Sequence, residues 1–205
     1  MILFIAHRQN NLKKISQKQN SNFNGIEIDV RTSSKDIVIN HDPFKKSLIF
    51  NKNFKIFKKY FLIIDVKSSG ICHKIYNTLK KNHKKFLFLN LIQSEFINMV
   101  QTGRGKNLMI RFSSYEKFDL KNKNLKKVRW VWFDFFDKHF ISLEEYKYLK
   151  KFNKKICLTS PDLLGLRDNL LKKFINHLNK NKIKVDMICA KKEKINIWKK
   201  FYKYK

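Results

Sequence analysis

Four short apolar runs in the first third of the chain end in side chains that can bind ligands or move protons. Each of these side chains alone is weak evidence, because a polar residue at a strand end is more often structural. Together they supply imidazoles, carboxylates and basic groups, which a metal-assisted reaction at a phosphate requires. The residues are His7, Arg8, Glu27, Asp29, His41, Asp42, Asp65 and Lys67.

The acidic members of this set predict a metal site. Alternate side chains of a strand point to the same face. Glu27 and Asp29 therefore share one face of their strand, and Asp65 and Lys67 share one face of theirs. Three carboxylates that converge repel one another and are costly to bury. A hard divalent cation removes this cost, because Mg²⁺ and Ca²⁺ prefer oxygen ligands. We therefore expect one such ion among these carboxylates.

The histidines and basic side chains predict acid–base chemistry on an anion. An unperturbed imidazole titrates near neutral pH, which suits His7 and His41 to general acid–base catalysis. Arg8 and Lys67 could hold an anion on the opposite side of the metal. Arg111 lies near the end of a later apolar run and is a further candidate for a phosphate contact.

The elements that must position these residues are short apolar runs that alternate with amphipathic segments. Near-continuous apolar runs are typical of parallel strands covered on both faces. Eight of them predict an α/β fold: a single small (β/α)8 barrel of the TIM type with shortened connections, whose chemistry lies at the C-terminal ends of the strands. The runs are Ile2–Ala6, Ile26–Val30, Phe61–Val66, Phe86–Leu91, Leu108–Phe112, Val128–Phe133, Ile156–Thr159 and Val185–Ala190.

Residues 1–205 are expected to form one barrel domain, because no linker or tandem repeat divides them. A doubly wound open sheet is the alternative fold. Asn90 and Asp134 end two of the runs, where a satisfied polar group is the simpler interpretation. Helices are expected at Ile71–Asn82, Ser94–Gln101, Leu164–Asn181 and Lys192–Tyr204 and after Ser142, with a weakly helical Asn10–Asn24 and a loop at Ser113–Lys127.

The composition bounds the class of protein. The 205 residues include 46 Lys and Arg against 16 Asp and Glu, a net charge of +30. A hydrophobic fraction of 43% can build a core and argues against general disorder. The charge would suit nucleic acid or an anionic membrane, but the lysines are spread along the chain, and an A/T-rich genome would produce the same bias. A non-enzymatic protein that binds nucleic acid or anionic lipid is the alternative function.

Several features indicate a cytoplasmic protein. No apolar run approaches the roughly 18 residues of a membrane span, and the N-terminal run lacks a basic leader. Cys72, Cys157 and Cys189 are widely separated, and their odd number makes a poor disulfide framework. Buried thiols in a reducing cytoplasm are therefore expected.

The four motifs resemble the signature of the glycerophosphodiester phosphodiesterase family, in the order in which that family has them. They read Ile-Ala-His-Arg at residues 5–8, Ile-Glu-Ile-Asp-Val at 26–30, Asn-His-Asp-Pro at 40–43 and Ile-Ile-Asp-Val-Lys at 63–67. The resemblance covers residues 2–67, and beyond them only the strand–helix alternation agrees.

This resemblance implies an α/β barrel that hydrolyses a phosphodiester and releases an alcohol from glycerol phosphate. The implied partner is a small-molecule phosphodiester. The spread of the basic residues argues against a specific nucleic acid, and the charge of +30 predicts weak electrostatic association with an anionic membrane. In the implied site, Glu27, Asp29 and Asp65 bind Mg²⁺ or Ca²⁺, His7 and His41 are the acid–base pair, Arg8 binds the phosphate, and Lys67 supports the metal and phosphate.

The chain also departs from the family pattern. Gln9 replaces the glycine that follows His-Arg, and Asp65 replaces a longer glutamate. The usual Pro-Glu-Asn-Thr stretch is absent, since residues 10–13 read Asn-Asn-Leu-Lys, and the segment Pro43–Tyr60 is short. A family member that has kept the fold but lost activity is therefore a further alternative.

The charge predicts binding to anionic surfaces that depends on salt. We expect the protein to cosediment with anionic phospholipid vesicles at about 0.01 M salt and to be released as the screening length falls from about 30 Å to about 3 Å at 1 M. Neutral vesicles are the control. Binding that persists at 1 M salt would show that attraction of charges alone does not explain it.

Overall fold

A computed structural model of the chain describes residues 1–11, 22–45, 47–83 and 85–203. Eight strands in these ranges run parallel, and two short strands are antiparallel to their neighbours. The parallel strands are β1 (Leu3–Ala6), β2 (Gly25–Ser33), β5 (Phe61–Val66), β6 (Phe86–Leu89), β7 (Met109–Phe112), β8 (Trp130–Phe133), β9 (Lys155–Thr159) and β10 (Met187–Ala190); the antiparallel ones are β3 (Asp36–Ile39) and β4 (Leu48–Ile49).

The parallel strands follow one another around a ring. Ladders join β1 to β2, β2 to β5, β5 to β6, β7 to β8, β8 to β9 and β9 to β10, and β10 pairs in turn with β1. Among the described residues, one bridge between Phe88 and Leu108 joins β6 to β7. The predicted α/β barrel is confirmed. The bridge between Phe88 and Leu108 brings together the two strands that would be the edges of an open doubly wound sheet, and so favours the barrel over that alternative.

Short helices form the outer layer, as a chain of this length requires. The connection between β7 and β8 has only a 3-10 turn at Lys123–Lys127 among the described residues, in agreement with the loop expected there. No helix in the described part of the chain is long and apolar enough to cross a membrane. The helices are α1 (Phe54–Phe57), α2 (Cys72–Asn82), α3 (Gln93–Gln101), α4 (Leu143–Lys151), α5 (Asp168–Lys180) and α6 (Ile195–Phe201).

Several predicted boundaries differ from the observed ones by a few residues, and one segment cannot be compared. The helix expected from Leu164 begins at Asp168, because Gly165 adopts a left-handed conformation that ends a 3-10 turn at Pro161–Leu164. The last strand begins at Met187 instead of Val185. Most of the segment Asn10–Asn24 lies outside the described residues, as does the end of Lys192–Tyr204.

Ser142 caps α4, as its position before two glutamates indicated. Its hydroxyl accepts a hydrogen bond from the Glu145 backbone N–H at 3.1 Å, and the Glu145 side chain accepts one from the Ser142 N–H at 2.9 Å. This reciprocal pair satisfies two N–H groups that would otherwise lack partners at the start of the helix.

The strands have two apolar faces, which pack into separate layers. The outer face packs against the helices, and Trp198 of α6 is fully buried there. The inner face fills the barrel with a second cluster, in which Trp130 and Trp132 are packing residues. The inward positions of β2 are Gly25, Glu27 and Asp29. Toward the C-terminal end of the barrel, carboxylate side chains therefore take the inward positions that apolar side chains hold elsewhere.

A hairpin extends from one side of the barrel. Strand β2 continues beyond its pairing with β5 and forms an antiparallel ladder with β3, in which Val30 pairs with Ile39. The sequence run Ile37–Asn40 thus contains a strand outside the ring. The Asn40 backbone N–H donates to the Asp29 carbonyl at 3.1 Å, which places His41 beside the C-terminal end of β2.

Gly25 is required by the close approach of β1, β2 and β5 inside the barrel. A Cβ at this position would lie 2.5 Å from Ile5 Cδ1 and 2.5 Å from the Phe61 carbonyl oxygen. Because the second contact is to backbone, a rotamer change cannot relieve it.

We therefore expect Gly25→Ala to lower the free energy of unfolding by about 1–3 kcal/mol through overpacking. Urea denaturation followed by circular dichroism would measure the change. Ser69→Ala, at an exposed position, should stay within about 0.5 kcal/mol of the parent. An equally small effect of Gly25→Ala would contradict the close packing of these three strands.

Candidate active site

Three carboxylates converge inside the C-terminal end of the barrel. Asp29 and Asp65 are direct partners in the register between β2 and β5, and Glu27 lies one inward position deeper. One oxygen from each of the three lies within 4.8 Å of the other two. The residues are 1%, 8% and 1% exposed for Asp29, Asp65 and Glu27, so they are almost removed from solvent. The structure thus brings together the three acids that the sequence analysis assigned to a metal.

Glu27 is buried next to the other two carboxylates, and its pKa reflects these surroundings. Burial raises its pKa well above the ordinary value, and the negative charges of Asp29 and then Asp65 raise it further. Its Oε2 accepts a hydrogen bond from the Arg8 backbone N–H at 2.5 Å. Its Oε1 is buried and has no hydrogen-bond partner among the described residues. A buried carboxylate oxygen without a partner, beside two other carboxylates, fits a hard divalent cation such as Mg²⁺ or Ca²⁺.

Lys67 partly neutralises the other two carboxylates. Its Nζ lies 2.7 Å from Asp65 Oδ2 and 3.3 Å from Asp29 Oδ1. Burial lowers the pKa of Lys67, but the attraction of Asp65 and then Asp29 outweighs it, and the net shift is upward. Asn10 forms a two-bond pair with Asp29: its Nδ2 donates to Oδ2 at 2.7 Å, and its Oδ1 accepts from the Asp29 N–H at 2.9 Å.

His7 follows β1 and lies against the carboxylates. Its Nε2 is 3.6 Å from Glu27 Oε2. Burial lowers its pKa to about 4, and the charge of Arg8 contributes in the same direction. The Arg8 backbone has a φ of 48°, a left-handed conformation that is uncommon for a residue with a side chain. This turn directs the Arg8 N–H at Glu27 and leaves the guanidinium half-exposed, 3.7 Å from Asp29.

The Gln9 side chain, which takes the place of a glycine, folds back on the preceding loop. Its Nε2 donates to the His7 carbonyl at 2.7 Å, while its backbone N–H donates to the Glu27 carbonyl, also at 2.7 Å. The loop therefore accommodates this departure by a local hydrogen bond.

His41 lies on the loop that follows β3, at the rim of the same end. Its Nδ1 is 2.8 Å from Asp42 Oδ1, and Lys45 Nζ is 2.6 Å from Asp42 Oδ2. The hydrogen bonds from these two neighbours lower the pKa of Asp42 to about 2. The backbone hydrogen bond from Asn40 to Asp29 brings the loop that carries His41 to the end of the barrel where His7 lies.

Arg111 lines a cleft of about 190 Å³ that His7, Arg8 and Asp65 also line. Its Nη2 is 2.9 Å from Asp134 Oδ2, and its Nε is 3.2 Å from Glu116 Oε2. Burial raises the pKa of Asp134, although Arg111 opposes the shift. The arginine is thus held toward the cleft by two carboxylates.

Asn90 contacts the carboxylate cluster, which its position at a strand end did not predict. Its Nδ2 donates to Asp65 Oδ1 at 2.8 Å, and it lines the cleft with a left-handed φ of 59°. Its Oδ1 is buried without a hydrogen-bond partner among the described residues. The sequence analysis does not predict that Asn10 binds Asp29. The available signal is its position three residues after His7, next to the proposed site.

We expect the carboxylate cluster to bind a divalent cation, and we expect Glu27→Gln to abolish this binding. In chelator, the variant should be at least as stable as the parent, because it removes a buried charge that has no partner. Millimolar Mg²⁺ or Ca²⁺ should then raise the Tm of the parent by about 5–10 °C if the ion is near a hundredfold above its Kd, but leave Glu27→Gln unchanged.

Thermal denaturation with and without the ion is the measurement. Glu144→Gln, on the exposed side of α4, is the matched control and should respond like the parent. An equal response of both variants would place the ion elsewhere.

Comparison with known proteins gives matches among solved structures. Neither protein-family models nor curated proteins match the chain. A glycerophosphodiester phosphodiesterase from Agrobacterium tumefaciens has a TM-score of 0.66 at 11% identity and covers 94% of this chain and 98% of its own. A putative glycerophosphoryl diester phosphodiesterase from Silicibacter pomeroyi has a TM-score of 0.68 at 8% identity, with coverage of 100% and 96%.

A third similar structure is a glycerophosphoryl diester phosphodiesterase from Parabacteroides distasonis, with a TM-score of 0.66, 12% identity, and coverage of 97% of this chain and 85% of its own. At such identities the likeness is one of fold. The chain has the barrel fold of the glycerophosphodiester phosphodiesterases, the family that its four sequence motifs resemble.

Proposed function

We propose that the protein is a metal-dependent phosphodiesterase that hydrolyses a glycerophosphodiester or a similar phosphorylated polyol to an alcohol and a phosphomonoester. One observation carries this proposal: the buried cluster of Glu27, Asp29 and Asp65, with an unpartnered Glu27 oxygen, lies beside His7 and Arg8 at the C-terminal end of a barrel. The shared fold and motifs support the same reaction class.

The three carboxylates would hold Mg²⁺ or Ca²⁺ in this proposal. When bound, such an ion polarises a phosphoryl oxygen and stabilises developing negative charge. Lys67 keeps Asp29 and Asp65 oriented through contacts of 3.3 and 2.7 Å, and Asn10 fixes Asp29 from the other side. These contacts restrict the carboxylates before any ligand arrives.

The phosphate would bind to Arg8 and Arg111, which line the same cleft. Arg8 is half-exposed, and its ion pair with Asp29 is long at 3.7 Å, so its guanidinium can turn to a phosphate oxygen. Arg111 is held by ion pairs with Asp134 and Glu116. Arginine forms two parallel hydrogen bonds to a phosphate, which would orient the substrate as well as attract it.

His7 and His41 would move the protons of the reaction. A His7 imidazole that is neutral near pH 7 can accept a proton at a ring nitrogen from an attacking hydroxyl. His41, paired with Asp42, would then exchange a proton at the other reacting oxygen. A substrate hydroxyl next to the phosphate is a candidate for the first nucleophile, as the family resemblance implies.

We also propose a cytoplasmic location and weak electrostatic association with anionic membranes. Cys72, Cys157 and Cys189 are buried free thiols, which suits a reducing compartment. The net charge of +30 supports the attraction to anionic surfaces.

A panel of glycerophosphodiesters assayed with chelator and with Mg²⁺ or Ca²⁺ tests the activity. Turnover that requires the ion would support the proposal. Salt-dependent binding to DNA or vesicles with no turnover of any diester would instead favour a non-enzymatic basic protein. Ion binding without turnover would favour a family member that has lost activity.

We expect His7→Ala and His41→Ala each to lower kcat by about 10²–10⁴-fold, because each removes a proton-transfer group. Steady-state kinetics on the best substrate of the panel would measure the loss, and the ion-dependent rise in Tm should persist in both variants. His73→Ala is the control, since His73 lies on α2 and bonds Asn98 and Arg104 instead of the carboxylate cluster. Near-normal turnover of His41→Ala would exclude the two-histidine mechanism.

A further inference from the structure

Two further cavities lie at the N-terminal end of the barrel, away from the carboxylate cluster. A cavity of about 430 Å³ opens beside the first residues of β5, β6 and β8, which are Phe61, Phe86 and Trp130, and beside Tyr76 of α2. A neighbouring cavity of about 630 Å³ shares Phe61 with it and includes Leu3, the first residue of β1. Both volumes fall within the range of about 300–1,000 Å³ that is typical of ligand sites.

Five exposed lysines line these two cavities, although they lie far apart in the sequence. Each is near the end of a helix or in the segment that precedes a parallel strand, so the fold collects them at one end of the barrel. None of them forms an ion pair with a carboxylate among the described residues. They are called the basic face below and comprise Lys58, Lys59, Lys80, Lys85 and Lys106.

Acidic residues are nearly absent from this end of the molecule. No Asp or Glu is among the described residues that line the two cavities. Asp186 is the one acidic residue in the described segments that join a helix or turn to the start of a parallel strand, and Lys150 pairs with it at 3.0 Å. The basic face therefore attracts anions with little opposition from negative charge.

The aromatic side chains of the first cavity are recessed. Tyr76, Phe86 and Trp130 are 8%, 4% and 9% exposed, respectively. The Trp130 ring lies beside that of Phe61, with a centroid distance of 6.3 Å, and Lys155 Nζ lies 5.3 Å from the centre of the Trp130 ring. Recessed rings can contact a flat group that enters the cavity, but they cannot insert into a bilayer as the apolar side chains of a membrane-surface helix do.

Lysines beside recessed aromatic rings match the chemistry of an unpaired nucleotide strand. Ammonium groups neutralise its phosphates, and its bases stack on aromatic side chains whatever their sequence. The bases of a duplex are already stacked and paired, so a duplex can offer the basic face its phosphates but cannot offer the rings its bases. The aromatic component of the surface therefore favours a single strand.

We propose that the N-terminal end of the barrel binds single-stranded nucleic acid without sequence preference. The basic face contacts the phosphates, and the two cavities receive bases. This binding is independent of the proposed phosphodiesterase function, because the carboxylate cluster lies at the other end of the strands.

A salt series with a labelled oligonucleotide tests the basic face. The protein is titrated into fluorescein-labelled oligo-dT of about 12 nucleotides in chelator, and anisotropy gives the Kd from about 0.05 M to about 0.2 M salt. Contacts from all five lysines predict a rise in Kd of about a hundredfold over this range, since the slope for a single strand is about −0.7 per contact. A duplex of equal length should bind about tenfold more weakly at the higher salt, because it lacks the stacking.

A triple variant of the basic face should weaken this salt dependence. Lys58→Gln combined with Lys85→Gln and Lys106→Gln should reduce the magnitude of the slope by about 2, because three phosphate contacts are lost. Turnover of the best glycerophosphodiester should stay that of the parent, since none of these lysines lies at the active-site end.

The matched control removes three exposed lysines from other surfaces and so has the same net charge. It combines Lys35→Gln, in the hairpin of β2 and β3, with Lys117→Gln and Lys138→Gln, in the loops that follow β7 and β8. We expect this variant to keep the salt slope of the parent. Equal slopes in the two triple variants would show that net charge alone attracts the strand, and would overturn the proposal.

Tryptophan fluorescence tests whether bases enter the first cavity. Oligo-dT should quench the emission of the parent, and the quenching should be lost in Trp130→Phe, which keeps an aromatic ring at the cavity. It should persist in Trp132→Phe, because Trp132 lines the cleft at the other end of the barrel.

Three other results would overturn the proposal. Equal affinities for oligo-dT and the duplex at the higher salt would show that no base stacks on the protein. Loss of oligonucleotide binding in Arg111→Gln would place the strand in the active-site cleft. A basic-face variant that loses binding to anionic vesicles but keeps binding to oligo-dT would assign this end to a membrane surface. Oligonucleotide binding that follows the basic face, without turnover of any diester, would support this proposal and contradict only the phosphodiesterase.

Discussion

The repulsion among Glu27, Asp29 and Asp65 is the constraint around which this end of the barrel is built. Ionised carboxylates are costly to bury even singly, and here three lie within 4.8 Å. The neighbouring loops offset much of this cost, with an ammonium from Lys67 and amide groups from Asn10 and Asn90. The compensation is incomplete at Glu27, whose second oxygen has no partner among the described residues.

The carboxylate cluster could be predicted because it depends on the simplest property of a strand. Alternation alone puts Glu27 and Asp29 on one face, and parallel strands put their C-terminal ends at the same edge. The direct pairing of Asp29 with Asp65 is a matter of register between β2 and β5, which no local pattern specifies. The sequence therefore indicated which acids share a site but not which are nearest neighbours.

Contacts between distant segments could not be predicted in the same way. Asn90 reaches Asp65 across 25 positions, and Arg111 reaches Asp134 across 23, so each contact exists only after the barrel has formed. The late start of α5 had a different cause, since Leu164 continues an apolar helical pattern and only the left-handed Gly165 interrupts it. The barrel itself could be predicted, because eight apolar runs with short connections leave few other ways to bury both faces of each strand.

The single bridge between Phe88 and Leu108 makes β6 and β7 the weakest junction of the ring among the described residues. A side-chain hydrogen bond takes the place of a backbone hydrogen bond at this junction: the buried Asn107 Nδ2 donates to the Phe86 carbonyl at 3.0 Å. Local opening of a structure begins where the fewest backbone hydrogen bonds must break. Asn90 follows one of these strands and Arg111 lies on the other, so amide hydrogen exchange at this junction would report motion of the two halves of the cleft relative to each other.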